Sequence, residues 1–347
     1  MAIELDFEKR LGNFLLQVNL QAENEVLALL GASGCGKSMT LKCIAGIEKP
    51  DKGKIIVDGV PLFDSEKHIN LTPQQRRTGL LFQNYALFPN MTVRQNIYTG
   101  TKRDRDKEGR KKKTEEIMER FDLTSLADHL PGQLSGGQQQ RTALARILVS
   151  DPQILMLDEP FSALDSHLRF RMEQEVRQVI QSFGKSTILV SHNRDEVFRL
   201  SDKIAVMCNG HVDAFGTKKE VFSDPKTKNS AILTGCKNIS PIRKLDERHI
   251  LALDWGLELQ TQKDVKDAEF IGIRMHYVNG SYPYNSYLCD VAEEIENPFS
   301  YTIMLRAADK AEAGTFGWEL EKDVWKKIRA DQVEIHIPPE SILLLKG

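Results

Sequence analysis

Apolar and polar residues alternate in two segments near the start of the chain. Every second position is apolar over residues 3–7, and again over residues 14–20. A period of two is typical of a strand that buries one face and exposes the other. We therefore predict two strands of an antiparallel layer at the edge of a sheet.

Further along the chain, short segments are apolar almost without interruption. These segments are residues 26–30, 154–157 and 187–190. Each is typical of a strand in a parallel sheet, buried on both faces. A glycine-rich loop follows the first segment, Asp158 and Glu159 follow the second, and Ser191 and His192 follow the third. Because α/β proteins bind ligands at the carboxyl ends of their parallel strands, we predict that these residues meet at one site.

Between residues 88 and 150 the pattern becomes helical and rich in charge. It predicts helices over residues 114–121 and 138–149, and another helix over residues 37–46 follows the glycine-rich loop. Residues 102–113 carry a local excess of lysine and arginine. We expect this basic stretch to be a solvated helix end, and contact with anionic lipid is the less favoured alternative.

The last third of the chain has a different sequence pattern, with short predicted strands separated by turn residues. Asn209-Gly210 separates predicted strands over residues 203–208 and 212–215, and this pair of residues favours a two-residue hairpin turn. After residue 237, glycine, asparagine and proline separate short strands over residues 250–253, 257–259, 270–277, 287–291, 301–305, 333–337 and 342–345. We therefore predict an α/β domain over residues 1–236 and a small β-barrel-like domain over residues 237–347.

Composition narrows the class of protein. A length of 347 residues agrees with two domains, and a net charge of −2 does not mark a nucleic-acid binder. The five cysteines have no metal-ligand spacing and no disulfide framework, so we expect a cytosolic, reduced protein. Neither a signal peptide nor a membrane-spanning apolar run is visible in the sequence. If the protein serves a membrane, we expect other chains to span it.

The glycine-rich segment Gly31-Ala-Ser-Gly-Cys-Gly-Lys-Ser38 has the pattern of a phosphate-binding loop. Its glycines leave backbone N–H groups free to surround phosphate oxygens, Lys37 reaches the terminal phosphates, and the Ser38 hydroxyl can ligate Mg²⁺. On its own, this loop indicates only a nucleoside triphosphatase. The nucleotide contacts that it predicts are Gly31, Ser33, Gly34, Cys35, Gly36, Lys37, Ser38 and Met39.

A second segment, Ser135-Gly136-Gly137-Gln138, lies just ahead of a predicted helix. It places a hydroxyl and unhindered backbone amides at the positive end of that helix, which suits an anion. We predict nucleotide contacts from all four residues. The chain thus contains two anion sites.

In this order, and together with Asp158-Glu159-Pro160, the motifs resemble those of the ATP-binding subunits of ABC transporters. The resemblance covers the chain from its N-terminus to about Thr217. It implies a P-loop ATPase fold with an antiparallel β layer and a helical subdomain at about residues 88–150, and ATP and Mg²⁺ as cofactors. Residues 333–342 resemble the closing strands of the regulatory TOBE domain, an OB-like barrel, that is appended to importer ATPases.

The resemblance also assigns roles in ATP hydrolysis. Asp158 would hold Mg²⁺ together with Ser38, directly or through water. Glu159 is our candidate for the catalytic base. Gln83 matches the family glutamine that contacts Mg²⁺ and the attacking water, and His192 matches the histidine that reaches the γ-phosphate.

Other residues are expected to contact partner chains. In this family Ser135-Gly136-Gly137 would bind the γ-phosphate held by a second copy of the chain, which implies a head-to-tail homodimer around two ATP molecules. Asp165 would lie in the loop through which the two subunits sense each other. The apolar stretch 86–89 would receive a helix of a transmembrane permease. The chain would therefore sit at the cytoplasmic face of the membrane and serve a solute-binding protein indirectly.

Two features are less closely specified. Phe14 or Leu11 could stack on adenine, but Phe14 is as well suited to the core. The cargo is expected to be molybdate or tungstate, on the likeness of residues 8–14 and 71–77 to that branch of importers, and sulfate, iron, polyamines and sugars are alternatives.

A soluble ATPase of DNA repair or translation is disfavoured because the chain has neither long heptad repeats nor a second phosphate loop. A regulator that binds ATP without hydrolysing it is disfavoured by Glu159 and His192.

Overall fold

The computed structural model describes residues 3–102, 104–162, 166–279 and 283–347, without the side chains of residues 166–168. The chain divides into two compact units, Met1–Lys218 and Lys219–Gly347. The predicted boundary after residue 236 therefore lies inside the second unit. The short helices before it group with that unit because their backbone pairs with the last strand, where the Lys228 N–H donates to the Lys346 carbonyl at 2.9 Å.

The first unit is built on one sheet flanked by helices. Its strands are β1 (Ile3–Leu11), β2 (Phe14–Ala22), β3 (Val26–Leu30), β4 (Lys52–Val57), β5 (Val60–Asp64), β6 (Ile69–Asn70), β7 (Thr78–Leu81), β8 (Ile154–Asp158), β9 (Thr187–Ser191), β10 (Lys203–Cys208) and β11 (His211–Thr217). Its helices are α1 (Lys37–Ala45), α2 (Pro73–Arg76), α3 (Val93–Gly100), α4 (Lys107–Arg120), α5 (Gly136–Leu148), α6 (Ser166–Phe183) and α7 (Arg194–Leu200).

The strand order across this sheet is β6-β5-β4-β1-β2-β11-β10-β3-β9-β8-β7. Strands β10, β3, β9, β8 and β7 pair in parallel, and β1 pairs antiparallel with β2 and β4. The predicted parallel core and antiparallel layer are therefore both confirmed, but β1 and β2 each have a neighbour on both sides and lie inside the sheet rather than at its edge. The side chains of the central strands are buried on both faces, as the uninterrupted apolar runs indicate.

Register brings the functional loops to one edge of the sheet. Leu30, the last residue of β3, pairs with Ser191 at the end of β9. Asp158 at the end of β8 pairs with Val190. The loops that leave β3, β8 and β9 consequently start side by side, as expected for a parallel α/β sheet.

Side-chain caps mark the starts of α4 and α5. α4 starts at Lys107 rather than at residue 114 because the Asp106 carboxylate accepts hydrogen bonds from the N–H groups of Glu108 and Gly109. Ser135 caps α5 in the same way, so this helix starts two residues earlier than predicted. The basic stretch therefore lies in the approach to α4 and in its first two turns.

The second unit contains two antiparallel sheets. Its strands are β12 (Asn238–Lys244), β13 (His249–Ala252), β14 (Leu257–Gln260), β15 (Phe270–Ile273), β16 (Ser286–Glu296), β17 (Ser300–Ala307), β18 (Phe316–Glu321), β19 (Gln332–His336) and β20 (Ile342–Leu345), and its helices are α8 (Lys218–Ser223), α9 (Lys228–Leu233) and α10 (Lys322–Ile328). The strand orders are β14-β13-β12-β15-β20 and β18-β17-β16-β19.

The two sheets of the second unit enclose one apolar core. Ile271 and Ile273 come from the first sheet, Ile303 and Trp318 come from the second, and all belong to the same buried cluster. The side chain of Asn238 joins the sheets further, because it donates to the Gly317 carbonyl at 2.7 Å and accepts from the Gly317 N–H at 2.8 Å. The predicted barrel-like architecture is thus confirmed. The strand predicted over residues 270–277 is shorter, since the chain turns into a 3₁₀ helix at Met275–Tyr277.

Candidate active site

The phosphate loop connects β3 to α1 along a tight, glycine-dependent path. Gly34 and Gly36 have φ angles of 82° and 108°, a region that side-chain-bearing residues rarely adopt. A Cβ atom on Gly36 would lie 2.7 Å from a methyl carbon of Leu16, so a side chain at this position would have to displace Leu16. The loop leads directly into the first turn of α1, whose N–H groups and positive dipole end suit a phosphate.

The ammonium group of Lys37 is folded back onto this loop. The side chain is only 4% exposed, and its Nζ donates to the carbonyl oxygens of Gly31 and Ala32 at 2.7 and 2.8 Å. No carboxylate among the described residues lies within 4.0 Å of this nitrogen. Charged oxygens accept stronger hydrogen bonds than backbone carbonyls do, so a phosphate would be a better partner for the group.

Ser38 and Asp158 form the candidate magnesium site. The Ser38 hydroxyl donates to Oδ1 of Asp158 at 2.8 Å, across the gap between α1 and β8. Burial raises the pKa of Asp158, although the hydrogen bond from Ser38 opposes the change. A half-buried carboxylate beside a hydroxyl fits Mg²⁺, which takes oxygen ligands and commonly only one or two carboxylates.

Glu159 and His192 lie in contact beside this pair. Oε1 of Glu159 is 3.2 Å from Nδ1 of His192. Glu159 has a φ of 46°, and its N–H donates to the Val190 carbonyl at 3.0 Å. Such a left-handed conformation costs energy in a residue with a side chain, and it turns Glu159 away from the direction in which the strand would have pointed it.

Gln83 is connected to the same residues through Ser162. Its Nε2 donates to the Ser162 hydroxyl at 3.1 Å, and this hydroxyl donates to the Glu159 carbonyl at 3.0 Å. Gln83 follows β7, which pairs with β8. The structure therefore brings the four residues predicted for hydrolysis and metal binding, Gln83, Asp158, Glu159 and His192, to one edge of the sheet.

An open cleft of about 530 Å³ lies over the phosphate loop. Its volume is in the range of small-molecule sites. The cleft is lined by Leu11, Phe14, Ser33, Gly34, Gly36, Lys37, Ser38, Met39, Lys42, Gln83 and Glu159. Both adenine candidates thus lie at the cleft. Lys42 was not predicted, although its place one helical turn after Ser38 puts both residues on one face of α1 and could have indicated it.

Other predicted nucleotide contacts lie elsewhere in the structure. Gly31 and Cys35 shape the loop and do not line the cleft. Ser135 caps α5 and exchanges hydrogen bonds with Gln138, which leaves the residues of this helix start, Gly136 and Gly137 included, outside the cleft of their own chain. Asp165 lies outside the described residues.

The parallel sheet, the phosphate loop and the pair Asp158-Glu159 define a P-loop ATPase. A family model described as ABC transporter matches residues 15–162. The spermidine/putrescine import ATP-binding protein PotA of Bacillus cereus is 41% identical over 236 residues, which is 67% of this chain and 70% of the relative. The Fe(3+) ions import ATP-binding protein FbpC of Haemophilus influenzae is 42% identical over 224 residues, 64% of this chain and 63% of the relative.

A solved structure of a dimeric ATP-binding cassette in a post-hydrolysis state, bound to ADP and Pi, is 29% identical with a TM-score of 0.53. The match covers 63% of this chain and 99% of that protein. The chain belongs to the ABC transporter family of ATP-binding proteins, and it is an ATPase whose hydrolysis is coupled to transport. Within the part of the chain that the structure describes, no helix is long and apolar enough to span a membrane.

Proposed function

We propose that this chain is the ATPase subunit of a polyamine importer, in which Glu159 acts as the catalytic base and His192 stabilises the transferred phosphoryl group. One observation carries the assignment of roles. Oε1 of Glu159 lies 3.2 Å from Nδ1 of His192, next to the phosphate loop and the Ser38–Asp158 pair. A carboxylate in contact with an imidazole at the end of a phosphate cleft is suited to proton transfer from water.

The phosphate loop would bind the triphosphate with little rearrangement. The Lys37 ammonium would exchange the carbonyls of Gly31 and Ala32 for phosphate oxygens, and the N–H groups at the start of α1 would surround the same anion. Ser38 and Asp158 would hold Mg²⁺, which supplies positive charge that stabilises the phosphate oxygens. Glu159 would take a proton from the attacking water while His192 donates a hydrogen bond to the γ-phosphate.

The second anion site is proposed to act on a partner subunit. Ser135 and the amides of Gly136 and Gly137 lie at the start of α5 and not at the cleft of their own chain. In a head-to-tail homodimer each helix start would complete the site of the other copy. The dimeric state of the related cassette supports this arrangement.

The permease is proposed to dock at residues 86–89. Phe88 is 46% exposed, and the buried side chain of Asn96 holds its backbone by accepting from its N–H at 2.8 Å and donating to its carbonyl at 3.1 Å. An exposed aromatic side chain on a fixed backbone suits a protein contact. The site would lie at the cytoplasmic face of a membrane, where a solute-binding protein on the other side supplies the cargo.

The proposed cargo rests on the names of the relatives. Proteins named for spermidine/putrescine import match this chain at 41% identity, and a protein named for iron import matches at 42% over a shorter stretch. Both matches support an importer. Polyamines are our first choice, ferric iron is the second, and the expectation of molybdate or tungstate stays a prediction without support from these relatives.

Replacement of Glu159 by Gln tests whether this residue is the catalytic base. The purified variant should bind ATP with unchanged affinity and release phosphate about 100-fold more slowly or worse, since a positioned base contributes on the order of 10²–10⁴ in rate. Glu66→Gln, at an exposed position outside the cleft, is the matched control. Unchanged phosphate release in Glu159→Gln would remove this residue from its role.

The cargo is identified by measuring solute uptake in cells that lack the gene, with the same variant as the inactive control. Uptake of radiolabelled putrescine and spermidine should return with the wild-type gene and not with Glu159→Gln. Labelled ferric iron and molybdate are measured in parallel. If uptake of either of these returns while polyamine uptake does not, the importer class stands and the polyamine assignment is wrong.

A further inference from the structure

The loop that carries His192 is held by hydrogen bonds on both sides of this residue. Ser191, which precedes His192, is buried, and its hydroxyl accepts from the Asn193 N–H at 3.0 Å. The Asn193 side chain caps α7 by accepting from the N–H groups of Asp195 and Glu196. The two neighbours of His192 are therefore tied to each other and to the start of a helix.

The buried carboxylate of Glu196 holds this loop by contacts with Ser191 and Arg169. Its Oε2 accepts from the Ser191 hydroxyl at 2.6 Å, and its Oε1 lies 3.7 Å from Nε of Arg169 on α6. The residue is only 4% exposed. Burial raises the pKa of Glu196, and the hydrogen bond from Ser191 and the charge of Arg169 only partly oppose that change. A buried carboxylate is costly for the fold, so a role other than stability is a reasonable expectation.

We propose that Glu196 is a positioning residue for ATP hydrolysis, which acts through Ser191 to hold His192 against Glu159. The 2.6 Å hydrogen bond fixes the end of β9, and the backbone of His192 follows at the next residue. The ring is itself half-exposed, and its Nδ1 lies 3.2 Å from Oε1 of Glu159. A shift of about 1 Å in a catalytic group can cost on the order of 100-fold in rate, so the anchoring of this backbone matters for turnover. The inference rests on the proposed role of His192.

Glu173 offers a matched comparison within the same pair of helices. It is 2% exposed, and its two oxygens accept from Nε and Nη2 of Arg199 at 2.8 and 2.9 Å. Glu173 lies on α6 and Arg199 on α7, so this ion pair joins the helices that Glu196 and Arg169 also join. Both carboxylate oxygens of Glu173 are thus directed to Arg199 and not to Ser191. Loss of Glu173 should affect the fold of this region without releasing the His192 loop.

The experiment measures ATP hydrolysis and thermal unfolding of the full chain. Glu196→Ala and Ser191→Ala should each lower kcat by about 10- to 100-fold while KM for ATP changes by less than about twofold. Glu196→Gln keeps an oxygen that can accept from Ser191 and should recover most of the activity. Glu173→Ala should lower the unfolding temperature at least as much as Glu196→Ala but leave kcat within about twofold of the wild type. An equal loss of kcat in Glu173→Ala and Glu196→Ala would overturn the proposal.

A double-mutant cycle separates positioning from a general loss of structure. If Glu196 acts through His192, adding Glu196→Ala to His192→Ala should lower kcat no further than His192→Ala alone. Additive losses would contradict the proposal. If His192→Ala itself hydrolyses ATP at the wild-type rate, the proposed role of His192 fails; if His192→Ala is impaired and Glu196→Ala is not, only the positioning role fails.

Discussion

At the scale of single residues, Arg76 shows how the phosphate-loop helix is held at its far end. The side chain is 2% exposed, and its Nη1 donates to the carbonyls of Cys43 and Ile44 at 2.6 and 2.9 Å. Its Nη2 donates to Asn70 at 2.9 Å. The guanidinium therefore caps the C-terminal end of α1, where a cation also interacts favourably with the helix dipole.

We predict that Arg76→Met lowers the free energy of unfolding by about 2–4 kcal/mol, because several buried carbonyl oxygens would lose their donor at once. Arg77→Met is the matched control, since Arg77 is half-exposed and pairs with the exposed Asp151. A surface pair of this kind contributes about 0–1 kcal/mol. Urea denaturation of the two variants checks the prediction, and an equal effect of both substitutions would contradict it.

The functional and structural residues differ in whether the sequence alone predicts their roles. Lys37, Ser38 and Asp158 are predictable because each stands next to a strand or helix end whose pattern is plain. Arg76 and Glu196 are not, because their partners are set by packing. The carbonyl that Arg76 reaches on Cys43 is 33 positions away in the chain, and nothing in the pattern of residues predicts that distance. Asp165 stays a prediction.

At the scale of elements, the hairpin of β10 and β11 forms around the turn that the sequence predicts. Asn209 and Gly210 have φ angles of 46° and 88°, as a two-residue hairpin turn requires. The turn also packs against β2: the Gln17 N–H donates to the Gly210 carbonyl at 2.6 Å, and a Cβ on Gly210 would lie 2.1 Å from the Leu15 carbonyl oxygen. This close approach joins the hairpin to the antiparallel layer.

We predict that Gly210→Ala costs more stability than Gly12→Ala. Both glycines have positive φ, which costs a residue with a side chain about 1–2 kcal/mol. A Cβ on Gly12, in the turn between β1 and β2, would meet nothing within 4 Å, so only the backbone cost applies there. Gly210→Ala adds a clash with the backbone, and we expect a total of about 3 kcal/mol or more. Thermal and urea unfolding of both variants measure the difference, and equal losses would show that the clash is relieved.

Two strands of the second unit, β12 and β18, were not predicted from the sequence pattern, for different reasons. β12 (Asn238–Lys244) contains a proline and ends in charged residues, so no regular alternation marks it. It is specified instead by its pairing with β13 and β15. β18 (Phe316–Glu321) does alternate, since Phe316, Trp318 and Leu320 are buried, and its pattern could have been found. Alternation of apolar and polar residues predicts a strand best where one face of the strand is exposed to solvent. It does not predict strands that are specified mainly by their pairing with neighbouring strands.

At the scale of the whole molecule, the residues that we propose for hydrolysis lie in the first compact unit. The cleft, the phosphate loop and Glu159 all belong to residues before Lys218. The second unit has its own apolar core between two sheets. The start of α5, with Ser135, also belongs to the first unit but lies outside the cleft of its own chain. A second copy of the molecule is the partner we propose for it.

Mixing of two inactive variants tests this pairing. Lys37→Ala removes the cation from the phosphate loop, and Ser135→Arg blocks the helix start that would serve the partner. Each variant alone should show little hydrolysis. In a mixed dimer one site would combine Lys37 of one subunit with Ser135 of the other, so an equal mixture should recover about one quarter of the wild-type rate if sites act independently. If Ser135→Arg alone hydrolyses ATP at the wild-type rate, hydrolysis does not depend on a site shared between subunits. A mixture that stays inactive although mixed dimers form would show that one complete site is not sufficient for hydrolysis.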